Sequence, residues 1–178
     1  MLNICNNNSK YFLKILLILG VFLIFNSCQP DQRRSASFIL IRHAEKILSS
    51  NNDPQLSTKG WQRANELVHI FEAIDIDAVY ASPYRRSIDT AKPLAKAKQL
   101  EILNYNPYEL DSFSQKLLNT HMGETVIIVG HSNTTPQLVN VLSGTNYPNL
   151  EETEYDWVYF VEISPEAIPN VKKLQIRM

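Results

Sequence analysis

Two short apolar runs constrain this chain more than anything else in it. Ser37 to Arg42 (Ser-Phe-Ile-Leu-Ile-Arg) and Thr125 to Gly130 (Thr-Val-Ile-Ile-Val-Gly) are continuous rather than alternating, the pattern of strands buried on both faces. Such strands belong to sheets that carry helices on each side. Each run is followed at once by a histidine, His43 and His131.

The segments between the runs agree. Leu56 to Ala73 reads as a helix, with Ser57 and Thr58 as candidate caps and Trp61, Ala64, Val68 and Phe71 along its apolar side. Asp77 to Ser82 is a second strand. Arg85 to Gln99 is a helix that Pro93 should break or kink, because proline removes a backbone donor. Glu101 to Tyr105 is a weak strand, Asp111 to Met122 a helix, and Thr134 to Ser143 a short helix closed by Gly144. Asp156 to Ile163 and Val171 to Arg177 complete the set, the last alternating and at an edge. Strand and helix alternate four times, which predicts an α/β three-layer sandwich with a mostly parallel central sheet flanked by helices. Trp61, Tyr80 and Trp157 are read as core or interface aromatics, and no cofactor is implied.

The first residues do not belong to this pattern. Lys10 and Lys14 precede Ile15 to Phe25, an apolar run of 11 residues. A membrane span needs roughly 20, so the run suits a signal-peptide core better than an anchor. Asn26-Ser27-Cys28 follows and resembles the lipobox of bacterial lipoproteins, which implies cleavage before Cys28 and lipid on its thiol; an ordinary secretory signal or a short buried helix is the alternative. The expected organisation is a signal at 1–27, a tether at 28–36 and one domain at 37–178, lipid-anchored in the cell envelope on the periplasmic face or the cell surface. Cys5 and Cys28 are the only cysteines, so that domain has no disulfide, no thiol nucleophile and no cysteine metal site. The whole chain has 17 basic and 18 acidic residues, which gives no field to attract nucleic acid.

Sheets of this kind bind ligands beyond the carboxyl ends of their strands. The polar residues collect there: Arg42-His43, Ser82 with Arg86, and His131-Ser132. Arg42-His43-Ala44-Glu45-Lys46 resembles the Arg-His-Gly signature of the histidine phosphatase superfamily, the phosphoglycerate-mutase-like fold. Leu56-Ser57-Thr58-Lys59-Gly60-Trp61-Gln62-Arg63-Ala64 is similar to that family's Leu-Thr-x-x-Gly-x-x-Gln-Ala segment. Ser82-Pro83-Tyr84-Arg85-Arg86-Ser87-Ile88-Asp89-Thr90-Ala91 resembles its Ser-x-x-x-Arg-Ala-x-Gln-Thr-Ala, and Gly130-His131-Ser132 stands where its second histidine block belongs. Four motifs in order are far more specific than one.

The resemblance implies His43 as a nucleophile forming a phosphohistidine, Arg42 and Arg86 as phosphate clamps, and His131 as a further donor. Imidazole suits the first role and guanidinium forks suit the second. Counting from Ser82 and back from Thr90-Ala91 both give Arg86, which leaves Arg85 at the rim. Lys46, Ser132, Asn133 and Glu45 are candidate phosphate contacts. The leaving group needs an acid, for which Glu109 is favoured over Asp111, read as an N-cap, with Glu45 a third candidate. Ala44 replaces the family glycine and is tolerable unless that position needs positive φ. His69 is expected on the surface, and His121 at a helix end, held by the dipole. Arginines around the histidines would repel a cation, so no metal is expected.

These readings point to a metal-independent phosphomonoesterase of the histidine acid phosphatase type, acting on a phosphorylated small molecule or an envelope phosphoester. A phosphomutase using the same histidine, or a phosphate-recognising lipoprotein without catalysis, are the alternatives. Only about 20 residues separate the third strand from the fourth, too few for the insertions with which mutases hold their substrates.

Overall fold

The computed structural model describes residues 35–48 and 52–177, all within the compact unit Arg33–Met178. The expected signal segment, Cys28 and most of the tether lie outside the described residues; the tether's last residue, Ala36, already belongs to the first strand. Ten elements follow in order: β1 (Ala36–Arg42), α1 (Thr58–Ile70), β2 (Ala78–Ala81), α2 (Arg85–Ala97), β3 (Ile102–Asn104), α3 (Leu110–Thr120), β4 (Thr125–Gly130), α4 (Thr134–Ser143), β5 (Trp157–Ile163) and β6 (Asn170–Gln175).

The strands form one mixed sheet in the order β3-β2-β4-β1-β5-β6. It is parallel from β3 through β1, while β5 and β6 join antiparallel at the other side. Successive side chains of a strand point to opposite faces, and both faces are covered here. Phe38, Leu40, Val126 and Ile128 pack with Phe113 and Leu117 of α3 and Leu138, Val139 and Leu142 of α4. Ile39, Ile41, Ile127 and Val129 pack with Leu67 and Phe71 at α1 and Ala91, Leu94 and Ala95 of α2. That is why the two central strands are apolar without alternation.

The helices depart from expectation in three places. The buried side of α1 is Gly60, Arg63, Ala64 and Leu67, so Trp61 is turned outward and Val68 is only half-buried. The cause is Gly60: a Cβ there would collide with the Glu45 carbonyl, so the helix start lies flush on that backbone. Ser57 caps α1 as expected, accepting from the Gly60 amide at 3.1 Å and donating to the Glu45 carbonyl at 3.1 Å. Helix α2 runs unbroken through Pro93, because the burial of Ala91, Leu94 and Ala95 around it outweighs one missing donor. Helix α3 is capped at Glu109, so Asp111 sits inside the first turn and is not the cap. Gly144 ends α4 at φ 70, a left-handed value suited to glycine.

Candidate active site

Register brings the site together. Arg42 pairs with Gly130 across β1 and β4, and the His43 amide donates to the Gly130 carbonyl at 2.9 Å. The two histidines therefore leave adjacent strand ends side by side, with ring centroids 5.3 Å apart and planes at 67°. Ala81 pairs with Val129, which sets Ser82 next to them. Gly130 is required by crowding: a Cβ would lie 2.7 Å from Thr135 Oγ1 and 2.9 Å from the Tyr105 hydroxyl. Ala44 carries no backbone strain, since Gln99 is the only described non-glycine residue at positive φ.

His43 is 3% exposed. Its Nδ1 donates to the Ala44 carbonyl at 2.8 Å, so the proton is on that nitrogen and Nε2 keeps its lone pair. The Ala44 amide in turn donates to Thr90 Oγ1 at 2.9 Å, which fixes the peptide. Burial holds the imidazole at a pKa of about 3; the bond to Ala44 opposes this, while His131, Arg42 and Arg86 reinforce it.

His131 is held by a directed chain. Arg86 Nη2 donates to its Nδ1 at 3.3 Å, its Nε2 donates to Ser82 Oγ at 2.8 Å, and Ser82 donates to Ser87 Oγ at 2.8 Å. Burial, with Arg86, Arg42 and Lys46 nearby, lowers it to about 4. Both rings are neutral at physiological pH.

The two arginines beside the histidines are positioned from two directions. Arg42 Nη1 donates to the carbonyls of Glu151 at 2.7 Å and Glu154 at 2.9 Å, and its Cζ lies 4.0 Å from the Tyr155 ring centre. Arg86 stacks on Tyr84 at 4.6 Å, with Nη1 3.6 Å from the Asp53 carboxylate. Arg42 Nε and Arg86 Nη1 are buried without a hydrogen-bond acceptor. Buried guanidinium N–H groups are costly to leave so, and an oxyanion between the arginines would satisfy them. These groups line a cleft of about 210 Å³ with Lys46, Ser132 and Asn133.

The carboxylates are elsewhere than expected. Glu109 is exposed and does not line the cleft. Asp111 faces a neighbouring groove with Pro107 and Val141. Glu45 turns away from the cleft to Arg63, accepting from Nε at 2.9 Å and Nη2 at 2.8 Å, with Lys59 at 3.3 Å. Burial pushes that carboxyl up, but the bonds from Arg63 and Lys59 outweigh it and hold it below the usual range. Glu45 therefore anchors α1 beside the His43 loop and does not line the cleft. The carboxylate at the cleft is Glu152, which the sequence reading missed together with Tyr84, Tyr108 and Tyr155. Because β5 is antiparallel to β1, its leading loop reaches the end of the sheet that carries both histidines. The acidic stretch Glu151-Glu152-Thr153-Glu154 directly before a strand was the available signal.

His69 is exposed, as expected. His121 is more than a dipole partner: it is buried, with Nε2 3.0 Å from the Tyr80 hydroxyl and Nδ1 2.6 Å from Glu124. Arg85 is exposed and does not line the cleft, paired instead with Asp89 at 3.6 Å. Among the described residues no group of three potential metal ligands occurs.

The family model of the histidine phosphatase superfamily (branch 1) matches residues 38–106. This is a histidine phosphatase fold. Phosphoserine phosphatase 1 of Hydrogenobacter thermophilus is 35% identical over 71 residues, 36% of this chain and 34% of that protein, so the match spans about a third of the curated relative. The protein histidine phosphatase SixA, solved with tungstate, superposes with a TM-score of 0.65 at 16% identity, over 78% of this chain and 96% of that one. A mycobacterial glucosyl-3-phosphoglycerate phosphatase gives 0.64 at 12% identity, over 81% and 100%. Both of these solved phosphatases share the fold over most of this chain. The family match contains Arg42, His43 and Arg86, and His131 joins them through the β1–β4 register.

Proposed function

We propose that this histidine phosphatase-fold chain is a metal-independent phosphomonoesterase, held in the cell envelope by lipid on Cys28 and acting on a phosphoester there. One observation carries the catalytic part: a neutral His43, its Nε2 lone pair free, lies beside two arginines whose buried N–H groups lack an acceptor. The phosphate sits between Arg42 and Arg86, with Lys46 at its side. His43 Nε2 attacks phosphorus, the bond to the leaving oxygen breaks, and water then cleaves the P–N bond of the phosphohistidine. The cleft opens to solvent and so admits that water, which favours hydrolysis over mutase chemistry. The address rests on the apolar run at 15–25 and Cys28.

The test is hydrolysis of p-nitrophenyl phosphate by residues 29–178 in EDTA, beside His43→Ala. Turnover should survive the chelator, and the variant should lose at least about a thousandfold. Loss of activity in EDTA, or full activity in His43→Ala, would overturn the reading. For the address, full-length chain should partition with membranes and Cys28→Ala should not.

A further inference from the structure

We infer that Glu152 is the general acid and base of this site. The inference rests on the phosphatase reading above and supplies the proton donor that reading lacks. Among the described residues, Glu152 is the only carboxylate lining the cleft. It reaches Arg42 Nη2 at 3.3 Å and Lys46 Nζ at 3.9 Å, and its side chain is 76% exposed.

Position decides the role. In-line displacement puts the attacking and leaving atoms on opposite sides of phosphorus. His43 is buried at the floor, so the leaving oxygen faces the mouth, where Glu152 stands. The loop beneath it is fixed: the Leu150 amide donates to the Ser132 carbonyl at 2.8 Å, and Arg42 binds the carbonyls of Glu151 and Glu154. The Glu154 carboxylate is occupied within the loop, accepting from the Glu151 amide at 2.7 Å and Trp157 Nε1 at 2.8 Å. Of the loop's carboxylates, the one that lines the cleft and can swing over a bound ester is that of Glu152. A bound phosphate would engage the two cations that now hold that carboxylate, which leaves it free to turn toward the leaving oxygen.

In the first step His43 Nε2 forms a bond to phosphorus, the P–O bond breaks, and the Glu152 proton goes to the departing alkoxide. In the second, Glu152 takes a proton from water as its oxygen attacks phosphorus. The P–N bond breaks, phosphate leaves, and both residues regain their starting states.

The experiment compares wild type, Glu152→Gln and Glu109→Gln on 2,4-dinitrophenyl, phenyl and glyceryl phosphates, with orthovanadate inhibition alongside. Glutamine keeps an acceptor for Arg42 but cannot donate the proton. Glu152→Gln should lose about a hundredfold on the glyceryl ester and within about tenfold on the dinitrophenyl ester, which needs little protonation. Vanadate should bind at least as tightly, since a negative charge is gone. Glu109→Gln should keep wild-type rates on all three. An equal loss on every ester with weakened vanadate binding would overturn the inference, because Glu152 would then only hold Arg42. So would unchanged rates, or a leaving-group-dependent loss in Glu109→Gln. A wild type that turns over no ester would overturn the phosphatase reading itself.

Discussion

A histidine attacks phosphorus only through an unprotonated nitrogen, and two features of His43 secure one. The Ala44 carbonyl takes the proton of Nδ1, and burial disfavours a second proton. We therefore expect the ring resonances of His43 and His131 to keep neutral positions in NMR spectra from pH 8 to 5, and to move only toward pH 3 and 4. Titration of either ring near 6.5 would contradict the burial described. Arg42 divides its guanidinium between loop carbonyls and the cleft, which an ammonium cannot do. Arg42→Lys should thus lower kcat/KM about a hundredfold while circular dichroism stays unchanged. The placement of Arg42, His43 and His131 at strand ends and of Arg86 in the first turn of α2 was legible because each lies inside a recognisable motif. Glu152 was not, since its place depends on the direction of β5, and residue patterns do not report strand direction.

The helices owe their placement to close approach as much as to apolar stripes. Gly60 lets the start of α1 rest on the Glu45 peptide one residue beyond Ala44, so the helix buttresses the loop that follows His43. Gly60→Ala should destabilise by about 1–3 kcal/mol through overpacking, seen as a lower urea midpoint, and should reduce activity as well. A neutral outcome would mean that the loop yields freely. Strands were readable because β1 and β4 are covered on both faces and have no polar alternation to confuse them. The facing of α1 was not, because a glycine contact, absent from any hydrophobic count, rotates Trp61 into solvent.

Across the whole molecule, the two histidines link folding to pH. Their folded values of about 3 and 4 lie below the ordinary 6.5, so at intermediate pH the unfolded chain binds protons that the folded chain refuses. Their contribution to stability is complete above pH 6.5 and declines as pH falls toward 4. The urea midpoint should drop between pH 7 and 5, and less so in a His43→Gln, His131→Gln double variant. An equal slope in that variant would place the dependence elsewhere.

Arg42 is seated by carbonyls 109 to 112 residues further along the chain. Synthesis delivers the amino end first, so His43 emerges long before the carbonyls that seat Arg42. A copy cut short before residue 151 would hold both histidines and leave that guanidinium without its seat. The cleft is therefore finished last, by a stretch of chain that contributes neither histidine.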